Sequence, residues 1–128
     1  MISTPKEFYD LRTSEDMSEQ RRAAMEEASA DVWREISATY PEMREWVVIN
    51  KTVPIEILDE LSKDENSRVR AIVATKRKLS EDIFNRLASD LNESVRIAVA
   101  NNAKIPEYLK EMLRNDKSAL VRKAVNLR

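Results

Sequence analysis

The chain is 128 residues long with a mass of 14.8 kDa, enough for one domain with a modest hydrophobic core. It has no glycine, cysteine or histidine, where average usage would give about nine glycines; phosphate-cradling glycine loops, nucleophile elbows, disulfides, ordinary zinc sites, thiol nucleophiles and imidazole bases are thereby excluded. Lys plus Arg number 22 and Asp plus Glu 23, a net charge of −1 that gives no strong steering toward nucleic acid or anionic lipid.

That balance hides an asymmetry. Residues 1–45 hold six basic and eleven acidic side chains, a net of −5, whereas residues 46–128 hold sixteen and twelve, a net of +4. The N-terminus (Met1-Ile2-Ser3-Thr4-Pro5-Lys6-Glu7) lacks the basic-then-apolar order of a signal peptide, and no apolar run is long enough to span a bilayer. A cytoplasmic protein without a membrane partner is the expectation.

Taken in chain order, the first element is a short helix that Thr4-Pro5-Lys6-Glu7 opens as a capping box, with Phe8 and Leu11 inward. A second, Met17 to Ala38, carries Met25, Ala28, Val32 and Ile36 as a stripe about six turns long, opposite a polar face of Glu19, Arg22, Glu26, Glu27 and Arg34. These residues, 1–40, form an expected N-terminal helical cap, with Trp33 and Trp46 read as core at its junction with the repeats. From Pro41 onward the sequence repeats itself. Met43, Arg44, Trp46 and Val47 make a half copy 26 residues ahead of Val69, Arg70, Ile72 and Val73.

Three full copies complete the chain without an insertion. Leu61, Leu87 and Leu113 share the 26-residue period, as do Asp64, Asp90 and Asp116; Val69, Val95 and Val121; Arg70, Arg96 and Arg122; and Val73, Val99 and Val125. Each copy holds two helical patterns. The first starts at Pro54, Ser80 or Pro106 and buries Ile57, Leu58 and Leu61; Ile83, Phe84 and Leu87; or Leu109, Met112 and Leu113. The second, with N-caps at Asn66, Asn92 and Ser118, buries Val69, Ile72 and Val73; Val95, Ala98 and Val99; or Val121, Ala124 and Val125. Ala74 and Ala100 allow close helix approach. One such pair cannot cover its own apolar face, and stacking neighbours does. The expected architecture for residues 41–128 is all-α: a short right-handed α-solenoid of stacked helical hairpins, one structural domain with its cap. Some apolar surface is expected to stay uncovered at the C-terminal end.

The ladder residues resemble two repeat families. Val95-Arg96-Ile97-Ala98-Val99-Ala100-Asn101, with Pro106, is similar to the variant leucine-rich repeat. The spacing from Asp64 to Arg70, Asp90 to Arg96 and Asp116 to Arg122 is similar to HEAT repeats, of the armadillo-type fold. The resemblance implies that these Asp and Arg columns form a ladder between successive repeats. The period of 26 exceeds the variant leucine-rich norm and leaves the second elements open between α and partly 3₁₀. The iron–sulphur site of one branch of that family does not carry over, because there is no cysteine.

Recurrence in every copy favours helix capping and repeat bridging over catalysis for Asp64, Arg70, Asp90, Arg96, Asp116 and Arg122. The adjacent carboxylates Glu26-Glu27, Asp64-Glu65 and Glu81-Asp82 point about 100° apart on a helix and do not converge as an acid/base dyad. No spacing suits a metal, and no catalytic residue, cofactor or enzymatic activity is expected. Candidate partner-binding positions are those left over: Ala71, Thr75, Ile97, Asn101 and Lys123 opposite the buried stripe, and the basic cluster Lys76, Arg77 and Lys78, with Lys51 and Lys104 in equivalent loops. The cluster reads first as a solvated edge, then as a contact for phosphate or an acidic protein surface. The expected function is a non-catalytic protein–protein interaction module binding through a concave helix face and the loops between repeats. A HEAT-like nucleic-acid-binding module using those basic loops is the alternative, weakened by the lack of aromatic stacking partners.

Overall fold

A computed structural model describes residues 1–127. Among the described residues there are ten α-helices, one 3₁₀ turn and no strand. The helices are α1 (Pro5–Thr13), α2 (Met17–Met25), α3 (Ala30–Thr39), α4 (Arg44–Ile49), α5 (Ile55–Leu61), α6 (Ser67–Val73), α7 (Glu81–Ala88), α8 (Glu93–Asn101), α9 (Glu107–Leu113) and α10 (Ala119–Asn126). None is long and apolar enough to cross a membrane.

No described residue has a positive φ, in keeping with a chain that lacks glycine. The reversals between helices rest instead on side-chain caps. Thr4, Asp16, Ser29, Asn66, Ser80, Asn92 and Ser118 each accept a hydrogen bond from a backbone N–H two or three residues on. The N-caps expected at Asn66, Asn92 and Ser118 are therefore present. At α1 the capping box is shifted: Glu7 accepts from the Ser3 N–H at 2.7 Å, one residue before the cap.

The chain divides into two compact units. The first, Met1–Leu61, holds α1 to α5. Its core is Phe8, Leu11, Trp33, Ile36, Val47 and Val48, with Phe8 and Trp33 edge to face at 5.5 Å. The expected helix from Met17 to Ala38 is two helices, because the segment between them is held from outside. The Asn50 amide donates to the carbonyls of Ala23 (2.8 Å) and Glu26 (3.0 Å), the Lys51 N–H to Ala24 (2.8 Å) and the Ile2 N–H to Glu27 (2.8 Å), while Ser29 caps a new start. Met25 is accordingly exposed. Trp46, expected in the core, lies at the surface, 36 % exposed, with the Arg12 guanidinium 3.4 Å from its ring centre. The half copy begins with the 3₁₀ turn, Pro41–Met43, and continues as α4.

The second unit runs from Ser62 onward. Here α7 packs on α8 and α9, α9 on α10, and α8 lies against both α6 and α10. All three second-pattern helices are α rather than 3₁₀. Val69, Val73, Val95, Val99, Val121 and Val125 are buried, as are Ala74 and Ala100 at the ends of their helices. Ile72 and Ala98 are only half-buried. Met112, expected inside, is exposed: the same column holds Glu60 and Arg86 in the other copies, a polar position.

Candidate functional site

The Asp and Arg columns act together in the second unit. Arg70 donates from Nε and Nη2 to the two carboxylate oxygens of Asp90 at 2.8 and 3.2 Å, and Arg96 does the same to Asp116 at 2.9 and 3.3 Å. The remaining Nη1 turns back to the Asp six residues earlier in its own copy: Arg70 to the Asp64 carbonyl (2.7 Å), Arg96 to that of Asp90 (2.8 Å) and Arg122 to that of Asp116 (2.6 Å). Each Asp side chain also accepts from the N–H two residues on, at Asn66, Asn92 and Ser118, which fixes the turn before the helix. These columns are thus spent on structure. The bond to Asp90 raises the Arg70 pKa above its ordinary value. Burial alone would raise that of Asp116, but the Ser118 N–H and the Arg96 guanidinium outweigh it, and the pKa is lowered. Among the described residues the Nε and Nη2 of Arg122 face no carboxylate.

A groove of about 480 Å³ is formed by the residues that follow α6, by α8 and by the residues after α8. Thr75, Arg77, Ile97 and Asn101 line it, with Ala98 and Asn102. Four sequence-predicted positions therefore come together. Ala71, Lys78 and Lys123 do not line it, and neither does Lys76, whose carbonyl accepts from Asn102. Arg77, Lys78 and Lys104 are exposed and make no ion pair among the described residues, so the edge of the groove is positive. No aromatic side chain lines it, and no group of three or more possible metal ligands occurs among the described residues.

The residue that sets the groove was not among the expected positions. Asn102, buried at the end of α8, donates from Nδ2 to the carbonyls of Ala74 (2.7 Å) and Lys76 (2.8 Å) and accepts from the Lys104 N–H (2.8 Å). It ties the ends of α6 and α8 together and fixes the backbone around Thr75. Asn50 does the same in the first unit, donating to Ala23 and Glu26 and accepting from the Thr52 N–H at 2.8 Å. The two are 52 residues apart, twice the period, with Lys76 between them. Asn102→Ala would leave two inner carbonyls without their donor, and a loss of about 1–3 kcal/mol in urea unfolding is expected.

Searches against protein families, curated proteins and solved structures find no match to the chain.

Proposed function

We propose that the chain is a non-catalytic binding module, a short right-handed α-solenoid of the HEAT-like or variant leucine-rich kind, that holds a protein partner in the groove between α8 and the residues that follow α6. The observation that carries this reading is the convergence of Thr75, Arg77, Ile97 and Asn101 on one groove. They belong neither to the hydrophobic stripe nor to the Asp–Arg ladder, and no column of the repeat prescribes them. Ile97 and Ala98 offer an apolar floor, and Arg77, Lys78 and Lys104 a positive rim, which suits an acidic protein surface. Nucleic acid fits less well, for want of an aromatic on which a base could stack.

A photo-crosslinking residue placed at Ile97 tests this in the native cell. Protein adducts are expected there and not from the same residue placed at Glu65, and Arg77→Glu is expected to weaken the captured interaction about tenfold or more. Adducts to nucleic acid instead of protein, or turnover of a substrate by the purified chain with no protein captured, would defeat the reading.

A further inference from the structure

The first unit carries a cavity of its own, sharing no residue with the groove described above. Residues 1–61 carry seven basic and fourteen acidic side chains, a net of −7, so carboxylates outnumber cations two to one in this unit. Lys6 takes Asp10, Arg22 takes Glu26 and Arg34 takes Glu60. Arg12 and Arg21 take none among the described residues, and both line the same cavity, of about 250 Å³, between α2 and Trp46. Arg12 lies over the Trp46 ring, and its Nε is buried without a hydrogen-bond partner. The rest of the lining is mostly apolar: Met17, which is 81 % exposed, and Ile49, beside Gln20.

Two guanidinium groups that hold no carboxylate among the described residues, beside an apolar cavity, suit a carboxylate attached to an apolar group. The volume lies below the roughly 300 Å³ at which small-molecule pockets begin, and one large side chain fills it. The net charge decides what carries the carboxylate. A polyanion such as nucleic acid or an anionic membrane meets the repulsion of a strongly negative unit, whereas a ligand with one or two negative charges gains the local contacts at little long-range cost. We propose that this cavity binds a peptide segment of a partner protein in which a large apolar residue sits next to Asp or Glu. The apolar side chain fills the space between Met17, Trp46 and Ile49, and the carboxylate takes the open edges of Arg12 and Arg21.

Random-peptide display on the immobilised whole chain, followed by synthesis of the enriched peptides, tests this. Enriched sequences should pair an acidic residue with a large apolar one, and their binding should shift the emission of Trp46. Arg21→Glu changes an exposed side chain and should weaken them about tenfold or more with an unaltered unfolding midpoint. Arg12→Gln should weaken them likewise, and Arg77→Glu, in the other groove, should leave them unchanged. No enrichment, peptides without acidic residues, equal binding to Arg21→Glu, or loss of binding on Arg77→Glu would each overturn the proposal.

Discussion

Leu87→Ala should lower the stability of the second unit by about 2–5 kcal/mol, with the urea midpoint falling and its slope unchanged. Leu87 is 0 % exposed, on a helix whose Ile83, Phe84 and Ala88 are also buried. Its helix, α7, is packed on both α8 and α9, so a cavity here has walls contributed by more than one copy of the sequence pattern. The surroundings are short helices of seven to nine residues, and α8 is tied to its neighbours by Arg96 to Asp116 and by Asn102 to the carbonyls of Ala74 and Lys76, bonds it would have to break in sliding to fill the void. Helices this short are not stable alone. The copies of the second unit should therefore melt in one transition, in wild type and variant alike. Separate transitions followed by circular dichroism and by the hydrogen exchange of α6, α8 and α10 would show that each copy stands on its own.

The features legible in the sequence are those that every copy repeats. The Val69, Val95 and Val121 column is inside because a helix packed on its neighbours must bury the same face each time, and Asn66, Asn92 and Ser118 cap because a short polar side chain is the ready way to start a helix after a polar turn in a chain without glycine. The hidden features depend on partners far along the chain. The break after Met25 is made by Asn50, Lys51 and Ile2 bonding carbonyls of residues 23–27, and no periodicity in 17–38 records that. Trp46 reads as core by composition, yet it lies at the surface, with Arg12 from α1 over its ring. Met112 could have been placed correctly, since Glu60 and Arg86 mark its column as polar. The Asn50 and Asn102 pair escapes a search at period 26 because Lys76 interrupts it. The groove was half legible for a related reason. Thr75, Ile97 and Asn101 stand out as residues outside the repeated columns, but which of the leftover positions meet depends on how Asn102 sets the end of α6.

Asp116→Asn should cost about 3 kcal/mol at neutral pH, measured by urea unfolding. Arg96 is 5 % exposed and gives two of its donors to Asp116, so loss of the charge strands a guanidinium in a nearly dry position. The bonds of Arg96 Nη1 to the carbonyls of Asp90 and Leu91 remain and keep the loss at the low end of the range for a broken buried pair. Arg122→Met, in the same column but with no carboxylate on Nε and Nη2 among the described residues, should cost less than about 1 kcal/mol, which separates the bridge from the arginine itself. Removing both partners, Arg96→Met with Asp116→Leu, should recover most of what Asp116→Asn loses, because no stranded charge is left. The pH dependence has a definite sign. The pKa of Asp116 is lower in the folded chain than its ordinary value of 3.8, so its stabilisation is complete above that value and fades as the pH falls below it through the folded one. Wild type and Asp116→Asn should therefore differ most near neutrality and converge in acid. A difference that stays constant from neutral pH to well below 3.8 would mean that the carboxylate charge contributes nothing and that the bridge is held by shape alone.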